Sequence, residues 1–278
     1  MLKWIVHEAV VKERLPEFLG VVARRGDAAA VLSGRAPDLP DADGSLAVGL
    51  VTVQVARRIH REGKLLPGVF WSPTAFSQTS WMPFWGRLAL NGDMVWLPWG
   101  EFVRRGPDVW RTAADGGHIF LRPDSGQKTF TGQMLGLDGF AANVAALDAT
   151  SGVRPETLIG VCRPKPIDGA AEWRFWLRRG AVIACSPYSW DGDIRLAGAP
   201  PPPGVHALAD EIARSCADEQ AWIPDSAFAA DLCLSGGQPR LIELNSASCA
   251  GLYSVDIDAL LNGLAQVAEA EAADGLPQ

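Results

Sequence analysis

The stretch Phe228–Ser246, FAADLCLSGGQPRLIELNS, consists of two largely apolar runs separated by SGGQP. Apolar runs on either side of a glycine-rich turn predict an antiparallel β-hairpin. With Gly237 at the centre of the loop, Asp231 pairs directly with Glu243. Asn245 then lies on the same face of the hairpin as both carboxylates, unless a β-bulge shifts the register. The hairpin therefore places three polar side chains next to one another in an otherwise apolar sequence.

Two carboxylates at directly opposed positions of a sheet repel each other, and such proximity normally raises the pKa of one of them. The pairing becomes favourable when a divalent cation lies between them, and ligand sets made of oxygen alone suit Mg²⁺ that is shared with substrate phosphates. Asp231, Glu243 and Asn245 are therefore the predicted ligands of one or two Mg²⁺ ions, with Mn²⁺ as an alternative. The competing interpretation is a hairpin whose polar side faces solvent.

Two cations flank a second predicted hairpin, in which GHIFLRP is followed by QKTFTGQML around the turn DSG. Arg122 ends the first of these strands and Lys128 begins the second. The glycine-containing tip could hold backbone N–H groups and the lysine against phosphate oxygens. The alternative is an ordinary polar hairpin tip.

Further cations lie in the sequences EWRFWL and VCRPKP. In a strand, Glu172, Arg174 and Trp176 share one face, so the arginine lies among large aromatic residues. The alternative to a functional placement is a salt bridge from Arg174 to Glu172 or to a neighbouring strand. VCRPKP is expected to place Arg163 and Lys165 at alternate positions of another strand. Oxygen ligands combined with several cations on neighbouring sheets are typical of phosphoryl-transfer sites.

The 278 residues are 48% hydrophobic and 21% charged, which is typical of a globular protein with a well-buried core. The net charge of −7 provides no overall basic footprint for nucleic acid. The N-terminal sequence MLKWIVHEAVVKERLPEFLG fits neither a signal peptide nor a transmembrane span. Five scattered cysteines favour reduced thiols. We expect a cytoplasmic protein that binds neither membrane nor nucleic acid; no sequence feature indicates its oligomeric state.

Hydrophobic periodicity predicts a small α/β unit at the N-terminus, with LKWIVHEAV and AAAVL as strands and VKERLPEFLGVVARRG as the helix between them. LVTVQVARRIHREG predicts another helix, ending at Gly63. From residue 117 onward hairpins dominate, including EWRFWL with AVIACSPY, and two further helices are predicted. The expected fold class is therefore α+β with a small α/β N-terminal unit. Five tryptophans between Trp81 and Trp110 form either core or the aromatic wall of a ligand site.

The order of these motifs resembles the ATP-grasp superfamily, and most closely a compact, divergent branch of it. The similarity is carried by FLRPDSGQKTFTG, EWRFWL with the later SPYS, the aspartate-bearing AADLCL and IELN, over residues 115–255. The preceding region, with GSL at Gly44 and GRLALNGD at Gly86, is similar to the N-terminal domain that accompanies this catalytic unit. The resemblance implies an N-terminal α/β domain at 1–110 and an ATP-grasp catalytic domain at 111–278, with the nucleotide between two α+β subdomains.

The resemblance also implies roles for individual residues. Lys128 would contact the α- and β-phosphates of ATP, and either Arg163 or Lys165 would occupy a second basic position near the adenine. Arg174 would stabilise the transferred phosphoryl group or an acyl phosphate. The nucleotide site is expected to contain Arg122, Lys128, Arg163, Lys165 and Glu172, the catalytic residues to be Arg174 and Lys128, and the metal ligands to be Asp231, Glu243 and Asn245.

The implied reaction is the ATP-dependent activation of a carboxylate to an acyl phosphate, followed by attack of an amine. An amide forms, and ADP and phosphate are released. The expected substrates are amino acids, peptides or similar small molecules. Two alternatives stay open, a small-molecule kinase on the same scaffold and a nucleotide-binding module without turnover. The mass of the product distinguishes the ligase from the kinase.

Overall fold

The structure, a computed structural model, describes residues 1–41, 43–126, 129–190, 194–195 and 199–275. Its strands are β1 (Lys3–His7), β2 (Ala28–Leu32), β3 (Ala47–Leu50), β4 (Pro67–Gly68), β5 (Val95–Pro98), β6 (His118–Pro123), β7 (Gln133–Gly136), β8 (Leu158–Cys162), β9 (Ala171–Arg178), β10 (Ala181–Trp190), β11 (Ile194–Arg195), β12 (Ala227–Ser235) and β13 (Gln238–Ser246). Its α-helices are α1 (Glu8–Val11), α2 (Leu15–Arg24), α3 (Val53–Glu62), α4 (Gln78–Trp85), α5 (Trp99–Arg105), α6 (Phe140–Ser151), α7 (Pro203–Ser215) and α8 (Ile257–Asp274). This combination confirms the expected α+β class.

Residue contacts divide the chain into two compact units, Met1–Pro73 with Ile167–Gln278, and Thr74–Pro166. These units do not coincide with the expected domains 1–110 and 111–278. Residues 74–110 belong to the second unit because β5 pairs with β8 and because α5 shares a core with β6 and β8. The chain therefore leaves the first unit after Pro73 and returns to it at Ile167.

The N-terminal part of the larger unit is a parallel sheet with the strand order β2-β1-β3-β4. Helix α2 connects β1 to β2, which confirms the predicted βαβ arrangement. Helix α3 begins after Thr52, whose Oγ1 accepts a hydrogen bond from the Val55 N–H, and ends at Gly63 in the left-handed conformation, as the sequence predicts. Every residue of β3 is buried, as is typical of central parallel strands.

The second sheet of this unit is antiparallel with the order β11-β10-β9-β12-β13. The hairpins β9–β10 and β12–β13 lie side by side through the pairing of β9 with β12. One core joins Trp176 and Ala229 of this sheet to Leu260 of α8 and to Trp4 of β1. Since Arg174 shares the face of Trp176 and lies two residues from it along β9, polar residues begin where this core ends.

The unit Thr74–Pro166 contains an antiparallel sheet with the order β5-β8-β6-β7. Aromatic rings fill its core, with Phe102 stacked on Trp99 and packed against Trp110 at centroid distances of 5.4 Å in both pairs. Trp81 and Trp85 are also buried. Four of the five clustered tryptophans are therefore core residues, which favours the structural interpretation of this aromatic region over a ligand wall.

The predicted strand QKTFTGQML is too long at its N-terminal end. Strand β7 begins at Gln133, which pairs with Leu121, and Thr129–Gly132 is not strand. Gly132 packs against the Phe120 ring so closely that a Cβ atom would lie 2.7 Å from it. The chain thus joins the sheet only after this contact, and a loop longer than the predicted turn connects β6 to β7.

The predicted strand LIGVCRPKPI is also too long, at its C-terminal end. Strand β8 ends at Cys162, so Arg163 and Lys165 do not lie at alternate strand positions. Proline has no N–H group to donate to a sheet, and proline stands on both sides of Lys165. The prediction for these two residues is wrong for this reason.

All five cysteines are free thiols. Burial raises the pKa of Cys162 to about 11 and those of Cys185, Cys233 and Cys249 to about 12. Because the thiolate is the reactive form, these side chains are weak nucleophiles at neutral pH.

Among the helices of the described residues, none combines the length and the apolar character needed to cross a membrane.

Candidate active site

The hairpin of β12 and β13 pairs Asp231 with Glu243, as the sequence predicts, although its turn differs from the predicted one. The loop contains only Gly236 and Gly237, whose φ angles of +57° and +73° are those of a tight two-residue turn. The register then shifts by one residue next to Asp231, where Ile242 is the extra residue of a β-bulge. The bulge restores the pairing that a loop centred on Gly237 predicts.

Four polar side chains form a hydrogen-bonded array on β9, β12 and β13. Arg174 donates from Nε to Asp231 Oδ1 at 2.7 Å and from Nη2 to Asp231 Oδ2 at 2.6 Å. Asn245 donates from Nδ2 to Asp231 Oδ2 at 3.0 Å and to Glu243 Oε1 at 2.9 Å. The amide of Asn245 therefore links the two opposed carboxylates.

The Arg174–Asp231 pair is buried, with exposed fractions of 5% and 1%. Two parallel N–H···O bonds between a guanidinium and a carboxylate fix the orientation of both groups. Removing one partner of such a buried pair costs about 3–5 kcal/mol, because the remaining charge loses its compensation. The salt bridge that the sequence offers as an alternative is thus formed with Asp231, on the neighbouring strand.

Glu172 extends the polar face of β9 beyond Arg174. It pairs in register with Cys233 of β12 and is half-buried. Burial raises the pKa of Cys233, and the negative charge of Glu172 raises it further. Glu172 therefore adds a second acidic position to the face that carries Asp231.

The segment that follows β13 also contacts Arg174. The Arg174 Cζ atom lies 5.0 Å from the centroid of the Tyr253 ring, within cation–π range, and Nη1 lies 3.5 Å from the Gly251 carbonyl oxygen. Burial raises the pKa of the Tyr253 phenol, while the Arg174 charge acts in the opposite direction. The Tyr253 backbone has a φ of +48°, a conformation that costs a non-glycine residue on the order of 1–3 kcal/mol.

A cavity of about 190 Å³ adjoins this segment. Lys12 has a φ of +51°, so two of the three non-glycine residues with positive φ in the described chain, Lys12 and Tyr253, line the cavity. Backbone strain of this kind is concentrated at binding and catalytic sites. Because Gly251 and Tyr253 contact both the cavity and Arg174, the cavity lies next to the hydrogen-bonded array. The lining residues are Val10, Val11, Lys12, Glu13, Arg14, Gly251, Leu252 and Tyr253.

The array provides donors that fit one Mg²⁺ ion. Asp231 and Glu243 supply carboxylate oxygens and Asn245 supplies an amide oxygen, the donor types that this ion prefers. Across the described parts of the chain, no group of three or more His, Cys, Asp and Glu residues could hold a metal. Two carboxylates and an amide suit an ion whose other ligands are phosphate oxygens and water.

The other predicted site residues lie in Thr74–Pro166. Arg122 is buried at the C-terminal end of β6. Arg163 is exposed, and Lys165 forms an ion pair with Asp93. Lys128 lies outside the described residues. The predicted site residues that the described structure brings together are Glu172, Arg174, Asp231, Glu243 and Asn245.

Sequence reasoning did not identify Arg14 as part of this region. Its Nη1 atom donates to the carbonyl oxygens of Tyr253 at 2.9 Å and of Val255 at 2.7 Å. Arg14 and Tyr253 are 239 residues apart in the chain, and no local pattern signals a contact over such a separation. Lys12 is a second missed residue, since its backbone conformation carries no mark in the sequence.

Residues 105–262 match a family model that describes an ATP-grasp domain, the second family of its clade. No protein of curated function is significantly similar to the chain. D-cycloserine synthetase DcsG has a similar structure, with a TM-score of 0.61 at 12% identity over 96% of this chain and 100% of its own. A RimK domain protein of the ATP-grasp type from Sphaerobacter thermophilus gives 0.57 at 13% identity, over 98% of both chains.

A third similar structure is D-alanine–D-alanine ligase from Bacillus anthracis complexed with ATP, with a TM-score of 0.58 at 10% identity over 98% of both chains. At such identities these similarities establish the fold alone. They confirm the ATP-grasp fold that the sequence motifs predict.

Proposed function

The chain belongs to this second family of its clade of ATP-grasp domains, and from this membership we propose that it is an ATP- and Mg²⁺-dependent ligase. In the proposed reaction a carboxylate oxygen attacks the γ-phosphorus of ATP, and ADP leaves. An amine then attacks the carbonyl carbon of the acyl phosphate, phosphate leaves, and an amide remains after loss of a proton. The substrates are amino acids, peptides or similar small molecules.

The observation that carries this proposal is the array of Arg174, Asp231, Asn245 and Glu243. Asp231 holds the Arg174 guanidinium through two hydrogen bonds in a buried position. A cation that is already oriented in a water-poor site stabilises developing negative charge without reorganising during the reaction. Arg174 therefore stabilises the transferred phosphoryl group and the acyl phosphate.

The metal ligands in this proposal are Glu243, Asn245 and Asp231. When bound, Mg²⁺ neutralises phosphate charge and orients the triphosphate. The Asn245 amide, which bonds to both carboxylates, keeps their oxygens oriented for the metal. One or two ions fit the family, and Mn²⁺ has compatible ligand preferences.

We place the carboxylate substrate in the cavity beside Tyr253. Its volume of about 190 Å³ suits a small molecule, and its walls combine apolar Val10 and Leu252 with charged Lys12 and Glu13. The described structure gives neither Lys12 nor Glu13 an ion pair. One cation and one anion in a small cavity are complementary to a zwitterion such as an amino acid.

The nucleotide contacts on the other unit are proposed from the motif order. Arg122 and Lys128 bind the phosphates, Lys128 also taking part in catalysis, and Arg163 or Lys165 lies near the adenine. Glu172 completes the proposed nucleotide site from the β9 strand. The buried position of Arg122 at the end of β6 supports its part in this assignment.

The test is a screen for substrate-stimulated ADP release with amino acids and short peptides, followed by mass spectrometry of the product. The ligase predicts a conjugate with the combined mass of two substrates less one water. A product that instead retains a phosphate would identify a kinase. ATP binding without ADP release across the panel would identify a non-catalytic nucleotide-binding module.

A further inference from the structure

Arg14 connects the N-terminal part of the chain to the segment beside Arg174. Through Nη1 it donates to the carbonyl oxygens of Tyr253 and Val255, at 2.9 and 2.7 Å. Its Nε and Nη2 atoms bond to the carboxylate of Glu17 at 2.8–3.0 Å. The guanidinium is thus oriented by Glu17 and grips two carbonyl groups of a distant segment.

The gripped segment is strained at the residue that contacts Arg174. Tyr253 has a φ of +48°, which a non-glycine residue keeps only where surrounding contacts enforce it. The same residue lays its ring 5.0 Å from Arg174 Cζ. Because Arg14 bonds to the Tyr253 carbonyl, this contact acts directly on the strained peptide.

A second anchor holds the segment from β10. The Ser254 N–H donates to Ser186 Oγ at 3.0 Å, and the Ser254 hydroxyl donates to the Pro187 carbonyl at 3.3 Å. Ser186 is fully buried, so this anchor is part of the sheet. With one attachment to the sheet and one to Arg14, the segment cannot rotate about either attachment alone.

We propose that Arg14 is a positioning residue for Arg174, holding Tyr253 in its strained conformation so that its ring and the Gly251 carbonyl fix the guanidinium. Arg14 lies too far along this chain of contacts to touch the reacting atoms. It lines the cavity beside Tyr253, so the same residue also sets one wall of that cavity. Only the consequence for turnover rests on the proposed ligase function.

The chain contains a matched control for this contact. Arg179 donates from Nη1 to the carbonyl oxygens of Cys216 at 3.0 Å and of Asp218 at 2.7 Å. Arg14 and Arg179 therefore make the same type of contact, one guanidinium nitrogen to two carbonyls two residues apart. Arg179 lies in the β9–β10 turn, at the end of β9 away from Glu172. Losing either contact removes the same number of hydrogen bonds to carbonyls, but only the loss at Arg14 affects Tyr253.

The first experiment reads the position of Tyr253 without any enzymatic assay. The chain contains two tyrosines, so labelling with 3-fluorotyrosine gives two ¹⁹F NMR signals, and Tyr188→Phe identifies the one from Tyr253. Arg14→Met is expected to shift the Tyr253 signal by more than its linewidth, whereas Arg179→Met leaves it in place. An unchanged Tyr253 signal in folded Arg14→Met would overturn the proposal.

The second experiment measures turnover with the substrate pair that the screen identifies. Arg14→Met is expected to lower kcat by about 10–100-fold, the effect of losing an outer-shell partner at other sites, while KM for ATP stays within about twofold of wild type. Arg14→Lys restores part of kcat because one donor and the charge return. Equal kcat values in Arg14→Met and Arg179→Met would contradict a positioning role.

The two experiments separate the failure of this inference from the failure of the proposed function. If no substrate pair is turned over, the ligase assignment fails while the ¹⁹F signal still decides whether Arg14 holds Tyr253. If Arg14→Met does not fold, Arg14→Lys serves for the NMR measurement. Its Tyr253 signal must then differ from that of wild type, because lysine cannot reproduce the two-carbonyl grip and the Glu17 pairing together; an identical signal would refute the proposal.

Discussion

Arg174 and Asp231 face each other across β9 and β12 and are joined by two hydrogen bonds of 2.7 and 2.6 Å. The sequence pairs Asp231 with another carboxylate and predicts that a metal compensates the repulsion. In the structure a guanidinium from the adjacent strand supplies positive charge to Asp231, and Asn245 bonds to both carboxylates. The array is therefore stable without a metal, and Glu243 is the carboxylate on which metal binding depends most.

Asp231→Asn is expected to destabilise the protein by about 3–5 kcal/mol, because it leaves the Arg174 charge buried without a counter-charge. Urea unfolding followed by tryptophan fluorescence measures the change in the free energy of unfolding. Glu62→Gln is the control, since Glu62 forms only partly exposed ion pairs, with Arg58 at 3.8 Å and Lys64 at 3.6 Å, which contribute little. Equal effects of the two substitutions would show that burial of the Arg174–Asp231 pair has no energetic weight.

Glu243→Gln is expected to raise the Mg²⁺ concentration needed for half-maximal ATP turnover by about tenfold or more, equivalent to ~1.4 kcal/mol or more of binding free energy. The amide keeps the size of the side chain and its acceptor for Asn245 but removes the charge that attracts the ion. A Mg²⁺ titration at saturating ATP measures the effect. Glu269→Gln, an exposed residue of α8, should titrate like wild type; an unchanged midpoint for Glu243→Gln would exclude it as a metal ligand.

Tyr253→Gly is expected to be more stable than Tyr253→Ala by about 1 kcal/mol, the reverse of the usual order, because only glycine adopts a φ of +48° without strain. Chemical unfolding of both variants measures the difference. Both lose the ring, so the comparison isolates the backbone. At Ser254, whose φ is not positive, the alanine variant should be the more stable of the corresponding pair. If alanine is favoured at both positions, the strain at Tyr253 is absent in solution.

The pH dependence of stability should carry the mark of Asp225. Burial raises the pKa of its carboxyl from 3.8 to about 8, and the nearby Glu271 charge contributes to the increase. Between these pH values the folded protein holds a proton that the unfolded chain releases. The free energy of unfolding therefore falls as the pH rises from about 4 to about 8, by at least about 1–3 kcal/mol.

Asp225→Asn should remove this decline, since the amide cannot ionise, and urea unfolding at several pH values tests it. Asp218→Asn is the matched control, because Asp218 also accepts a hydrogen bond from a nearby backbone N–H but lies exposed. Its variant should keep the wild-type slope. A variant of Asp225 with an unaltered slope would show that this carboxyl is ionised in the folded protein.

The local elements and the Asp231–Glu243 pairing could be predicted because they depend on short-range patterns. Apolar alternation defines β12 and β13, and glycines define their turn. The predicted loop centre was nevertheless displaced, and the pairing agrees only because the bulge at Ile242 adds one residue. Bulges depend on how neighbouring strands pack, which a single strand's pattern does not contain.

The contacts that sequence could not supply are those between distant segments. Arg14 and Tyr253 are separated by 239 positions, and neither lies in a recognisable motif. Arg163 and Lys165 were misplaced because the strand pattern was extended through two prolines. The partner of Arg174, in turn, required the order of the strands in the sheet, which places β12 beside β9.

The bulge at Ile242 has a consequence for recognising related chains. A chain without this residue would keep the Gly236–Gly237 turn and the facing of Asp231 and Glu243, because the regular ladder on either side would simply close. The distance along the sequence between the two acids can therefore change by one while their separation in space does not. An alignment gap at this position would be silent for the chemistry, and a search pattern with fixed spacing would overlook true homologues.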